Sequence, residues 1–160
     1  MEEKVELLLT VTGEDQLGIT ADICYQLSRA NADLLDIQQV TISPLLVMAL
    51  HVSLPVPPGE TATEPAALVP GELLRLALRR NLQVRVQPFV PFPELQSPDL
   101  FFAVTCLAPT IPPAALHRIS GTLAHYGANI DRITRLTENS LKGLELTVLA
   151  TSALDRNALK

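Results

Sequence analysis

Cysteine is scarce. Cys24 and Cys106 are the only two, neither has a neighbour at metal-ligand spacing, and no CxxC occurs. Both lie in apolar periodic segments, which reads as two buried free thiols in a reducing compartment. No apolar run reaches the ~18 residues that a membrane span needs. No basic leader precedes an apolar stretch at the N-terminus, so a secretory signal is not expected and a cytoplasmic location is. Charge is sparse too: 18% of the 160 residues are charged and the net charge is -5. That balance gives nucleic acid no general electrostatic footprint. Arg75, Arg79, Arg80 and Arg85 form the one basic cluster, and a solvated helix end accounts for them simply. A glycine-rich phosphate loop is missing. Of the three histidines, His51 falls in a strand pattern, and His117 and His125 sit two turns apart on one helix pattern, too far to share a metal. No catalytic residue and no metal site is therefore expected in this chain.

What is present is apolar and repetitive. The apolar fraction is 48%, enough for a true core. A gap-free offset of 96 residues lays Ile23 on Ile119, Leu27 on Leu123, Ala32 on Ala128, Ile37 on Ile133 and Leu50 on Leu146, with apolar positions expected to keep one phase throughout. Each copy opens with a strand: Val5, Leu7, Leu9 and Val11 alternate with Glu6, Leu8 and Thr10, and the second copy begins with residues 100–107. A helix follows in each. Ile19, Ile23 and Leu27 form one stripe, as do Leu116, Ile119, Leu123 and Tyr126, with Pro112 and Pro113 at a helix start and Gly127 at its end.

Two strands come next. In residues 34–43 the apolar phase slips between Ile37 and Val40, which predicts a bulge or twist around Gln38 and Gln39. Ser43 and Pro44 mark a tight turn. The next strand points Leu46, Met48, Leu50, Val52 and Leu54 one way, and in the second copy residues 138–143, ENSLKG, supply asparagine and glycine for a hairpin. A proline-rich polar loop spans 55–65, a helix over 70–80 shows Leu73, Leu74, Ala77 and Leu78 on one side, and a fourth strand alternates Val84 and Val86. The order is β-α-β-β-α-β, a split βαβ unit with a four-stranded antiparallel sheet and both helices on one face. The predicted organisation is a first module at 1–90, a proline-rich linker at 91–98, and a second module at 99–160. The second module reaches β-α-β-β plus the start of a helix near 154–159. Either the chain derives from a longer polypeptide or a partner or swapped element completes the unit.

Residues 13–19, GEDQLGI, join a strand to a helix N-terminus, where free backbone N–H groups and positive potential favour a carboxylate. Gly18 lets a ligand approach the backbone closely. Asp15 could hold an ammonium group or cap the helix. Asp33 and Asp36 open the following strand and are expected at the same end of the module; Asp36 could receive an amino group or stand solvated.

The stretch VTGEDQLGITADICYQLSRANADLLDIQQVTI resembles an ACT domain, with its D-x-x-G-I loop at Asp15 to Ile19 and strand entry at Asp33 to Ile37. YGANIDRITRLT in the second copy resembles the second of the ACT modules that precede the catalytic domain of bacterial phosphoserine phosphatases. The fold class implied is α+β: tandem ferredoxin-like βαββαβ ACT modules, antiparallel sheets with helices on one face, the second truncated. The resemblance implies a small amino acid, serine or glycine, at an interface between modules, with Asp15, Gln16, Leu17, Gly18, Ile19, Asp33, Asp36 and Asn129 as ligand-binding residues. Asp33 replaces an asparagine that often opens that strand, whereas Asn129 keeps it. The loop at Ile111, Pro112, Pro113 and Ala114 lacks both acid and glycine, so two equal sites are not expected. The family's D-x-D-x-T nucleophile motif is missing, so this chain alone is not the enzyme. A covalently linked phosphatase domain requiring Mg²⁺ is expected in the parent, while this chain needs no cofactor. A homodimer is expected, with no nucleic-acid or membrane partner. A free-standing regulator like the tandem-ACT repressor of the glycine cleavage system, or a purely dimerising module, is the alternative.

Overall fold

The structure, a computed structural model, describes residues 3–56, 65–91, 100–137 and 141–150. Most of the expected loop after Pro55, nearly all of the 91–98 linker, half of the ENSLKG turn and the helix start near 154–159 lie outside these residues. The chain divides into two units, Met1–Val90 and Pro91–Lys160.

The first unit runs β1 (Lys4–Glu14), α1 (Ile19–Arg29), β2 (Asp33–Ile42), β3 (Leu45–Pro55), α2 (Pro65–Leu68), α3 (Gly71–Arg79) and β4 (Gln83–Pro88). Its antiparallel sheet has the order β2-β3-β1-β4. Because strand side chains alternate, one face of β1 and β3 supplies Leu7, Leu9, Val11, Leu46, Met48, Leu50 and Val52, all fully buried. Ile19, Ile23 and Leu27 of α1 and Leu73, Leu76 and Ala77 of α3 cover them. The α3 stripe differs from the expectation. Leu74 and Leu78 are exposed, because a helix that buries Leu73 and Ala77 turns position 76 inward at the three-four spacing.

The bulge also lies elsewhere. Leu35 and Asp36 both stand opposite His51, between the pairs Leu34↔Val52 and Ile37↔Leu50. The extra residue brings Leu34 and Ile37 to the helix side together, and no second bulge is needed at Gln38. Beyond it Gln39 faces the helices, where Thr20 Oγ1 donates to its Oε1 at 2.8 Å, while Val40 and Ile42 turn to the open face beside Leu45. All three are exposed.

The second unit comprises β5 (Leu100–Ala108), α4 (Pro113–His125), β6 (Asn129–Arg135) and β7 (Lys142–Ala150), with the sheet order β5-β7-β6. Asp131 bulges between Ile130 and Arg132, 96 residues after Leu35. Leu50 and Leu146 keep the 96-residue offset, but their partners across the sheet, Leu9 and Val104, do not. The segment between first strand and first helix is one residue longer here, so the repeat holds its phase only after that point. Gly143 is not a turn residue. It is buried in β7, where a Cβ would lie 3.2 Å from Leu136 Cβ and 3.0 Å from Leu107 Cδ2. Both cysteines are free and half-buried, less enclosed than expected.

Three helices end alike. After α1, α3 and α4 a residue with positive φ follows the cap: Asn31 (53°), Asn81 (55°) and Gly127 (73°). The next N–H then reaches back five residues, Ala32 to Leu27, Leu82 to Ala77 and Ala128 to Leu123, at 2.8–3.1 Å. Alanine in a left-handed conformation is disfavoured by ~1–2 kcal/mol. Gly127→Ala and Asn81→Ala are each expected to cost about that much, and Asn81→Gly close to nothing. Urea unfolding checks this ranking, and an Asn81→Gly cost equal to that of Asn81→Ala contradicts it.

Candidate functional site

The loop from Gly13 to Gly18 buries no large side chain; Leu17 at its tip is 99% exposed. Polar contacts hold it instead, on two sides. Toward the β2–β3 hairpin, Asp15 N–H donates to Pro44 O at 2.8 Å and Thr41 Oγ1 donates to Asp15 Oδ2 at 3.4 Å. Toward α3, Gln16 Nε2 donates to Arg80 O at 3.1 Å, and the Arg80 guanidinium donates to Leu17 O at 3.0 Å and to the Asp22 carboxylate.

Asp15 does not cap α1. Gly18 holds the N-cap position at φ 85° and ψ 1°, with no side-chain cap bond. The turn Gln16-Leu17-Gly18 separates the Asp15 carboxylate from the first helical amides, so it faces Thr41. Ile19 is buried beneath the loop as a core residue and is not open to a ligand. The first-turn amides of Thr20 and Ala21 precede the first intrahelical bond, Asp22 N–H to Gly18 O at 2.9 Å. A carboxylate would meet the positive end of the helix there.

Asp33 and Asp36 lie at the other end of the module, contrary to the expectation. Asp33 stands opposite Ser53, and Ser53 opposite Glu6. From there to Glu14, eight residues along β1, is roughly 25 Å at ~3.3 Å per residue. The reason is directional: α1 carries the chain back along the sheet before β2 begins. Asp33 pairs with Lys4 at 2.5 Å, and Asp36 Oδ1 accepts the Ile37 N–H at 2.7 Å, which satisfies the backbone at the bulge. Asn129 is exposed at the start of β6, the position matching Asp33 in the second unit. Within the first unit the structure thus brings Asp15, Gln16, Leu17 and Gly18 together and leaves Asp33 and Asp36 apart from them; Asn129 belongs to the second unit.

Arg80 was not among the residues singled out in the sequence, where it reads as one of four solvated arginines. Nothing local marks it: Arg80 is placed by the corner where α3 ends on left-handed Asn81. Gly13 packs there, since a Cβ on it would lie 3.1 Å from Asn81 O. The histidines have ordinary roles. His51 stacks on Phe89 at 3.7 Å and bonds Glu6 at 2.9 Å, and His117 and His125 are exposed on α4. No group of three metal-ligating side chains converges among the described residues, and no described helix is long and apolar enough to cross a membrane.

An ACT-domain family profile matches residues 6–87, and a second ACT-domain profile matches 102–160. The chain belongs to the ACT-domain family. The two matched ACT regions correspond to the two units of the fold. Phosphoserine phosphatase SerB2 of Mycobacterium tuberculosis is 29% identical over 151 residues, which cover 92% of this chain and 35% of that protein. The chain thus spans about a third of that relative's length. The fold of an unknown protein from Galdieria sulphuraria is similar, with TM-score 0.75 and 20% identity over 98% of this chain and 88% of that one. So is that of a structure named for a glycine cleavage system transcriptional repressor, with TM-score 0.68 and 13% identity over 98% of this chain and 86% of that one.

Proposed function

We propose that this chain is the amino-acid-sensing regulatory ACT region of a cytoplasmic phosphoserine phosphatase, and that it binds serine or glycine. The observation that carries the reading is the likeness to phosphoserine phosphatase SerB2, which runs through both modules. The catalytic chemistry, with its Mg²⁺, belongs in this reading to a covalently linked phosphatase domain. In the site proposed, the amides at the start of α1 take the ligand carboxylate, and Gly18 keeps the approach open. Asp33, Asp36 or Asn129 takes the ammonium group. An amino acid is far shorter than the roughly 25 Å along a strand that separates the loop from Asp33. A site using both must therefore draw them from different modules, which makes association part of the reading. The exposed Val40, Ile42 and Leu45 on the open sheet face supply apolar area for it.

Calorimetric titration with serine and with glycine, alongside sedimentation, tests the proposal. Saturable binding of one of them by a dimer is the expected result. Binding of neither, or a mass equal to one chain at tens of micromolar, sinks it. If the native polypeptide carries no phosphatase domain, the free-standing regulator replaces this reading.

A further inference from the structure

We infer that Arg80 is the positioning residue of the β1–α1 loop, fastening it to the end of α3 so that loop and helix hold one conformation together. The β1–α1 loop contributes no large buried side chain of its own, so its shape depends on the few polar contacts it makes. Two of these converge on Arg80, running in opposite directions, and a third contact ties Arg80 to the first turn of α1. The Gln16 amide donates to the Arg80 carbonyl, and the guanidinium donates back to Leu17 O and to the Asp22 carboxylate. The contacts straddle Gly18, from Gln16 before it to Asp22 after it. A planar guanidinium can donate to two acceptors at once in fixed geometry, which an ammonium cannot.

The anchor is itself rigid. Arg80 caps α3, its N–H bonded to Leu76 O at 3.0 Å, and is followed by left-handed Asn81 and buried Leu82. That corner sits against Gly13, where a Cβ would come within 2.6 Å of Leu82 Cδ2 and 3.3 Å of Leu82 Cα. The backbone on either side of Arg80 is therefore fixed, and the Arg80 side chain is three-quarters covered. Asp22 balances a cation that would otherwise stand unfavourably beside the positive end of α1. The consequence for ligand affinity rests on the proposed function; the fastening itself does not. If the loop must hold this shape to bind, releasing it lowers apparent affinity by the fraction of molecules that lose the shape.

Amide hydrogen exchange on the whole chain, as wild type, Arg80→Ala, Arg80→Lys and Asp22→Asn, tests the inference. In Arg80→Ala, exchange at Ile19 and Asp22, the hydrogen-bonded amides that follow Gly18, is expected to rise about tenfold or more, with Leu9 and Val11 unchanged. Arg80→Lys is expected not to restore protection, and Asp22→Asn to lose part of it. Serine or glycine affinity, whichever the wild type shows, is expected to fall about tenfold in Arg80→Ala. Unchanged loop exchange in a folded Arg80→Ala overturns the inference, as does full rescue by lysine. If Arg80→Ala also exposes β1, Asp22→Asn decides, and wild-type loop protection in that variant is the overturning result. A wild type that binds neither amino acid removes the functional reading, while the exchange data still judge the fastening.

Discussion

Leu9→Ala is expected to destabilise the first unit by roughly 3–5 kcal/mol. Leu9 lies at the middle of β1, paired with Leu50 on one side and Val86 on the other. It is fully buried, between Leu7 and Val11 on the same face. Strands flank it on both sides and helices cover it, so little can relax into the vacated space. Domains have only ~5–15 kcal/mol of total stability, so the loss is a large share of it. Leu8, one residue away, is half-buried on the opposite face, and Leu8→Ala is expected to cost about 1 kcal/mol by the area it covers. Val104 occupies the matching place opposite Leu146 in the second unit but is only half-buried, and Val104→Ala is expected near 1–2 kcal/mol. Urea unfolding followed by hydrogen exchange in each unit separates the three. Equal costs for Leu8→Ala and Leu9→Ala would show that the helix-covered face is not the main core.

These differences follow a pattern that was largely visible in the residues. Strict alternation in β1 and β3 and the four-residue spacing of Ile19, Ile23 and Leu27 fixed which face is inside, because each period matches one backbone geometry. Where leucines fill both candidate stripes, as at Leu73, Leu74, Leu76 and Leu78, period alone does not choose; packing against the sheet does. The bulge was misplaced for a related reason. An edge strand exposed on both faces carries weak apolar information, and the phase change at Val40 reflects a switch of faces and not an extra residue. Of the site, the D-x-x-G loop was legible as local sequence. Its anchor was not, because Arg80 lies 62 residues beyond Gly18, the separation from 18 to 80. Long-range pairing of that kind appears only once α3 is docked. The distance between Asp15 and Asp33 was knowable in principle, since a helix returning along a sheet must deliver the next strand to the opposite end.

Gly18 offers the most informative substitutions at the site. Its φ of 85° is a conformation that L side chains rarely adopt, whereas space is ample: beyond the adjacent residues, a Cβ would find its nearest neighbour, Arg80 Nη2, at an ordinary 3.9 Å. The penalty on substitution is therefore conformational and not steric. Left-handed backbone costs an alanine ~1–2 kcal/mol and a β-branched residue more. Asparagine tolerates it best, as this chain does at Asn31 and Asn81. The expected order of destabilisation is Gly18→Asn, then Ala, then Val, with Val losing roughly 2–3 kcal/mol. Thermal or urea unfolding checks the order; asparagine and alanine variants of equal stability would point to crowding instead. The asparagine variant then isolates function. It keeps the helix start in place but adds a side chain at the N-cap, next to the first turn that carries the Thr20 and Ala21 amides. If those amides receive the ligand carboxylate, serine or glycine affinity should fall about tenfold or more, the scale of losing a charge-assisted hydrogen bond at ~1.5–3 kcal/mol. Undiminished affinity in a folded Gly18→Asn chain would rule out this loop as the carboxylate site.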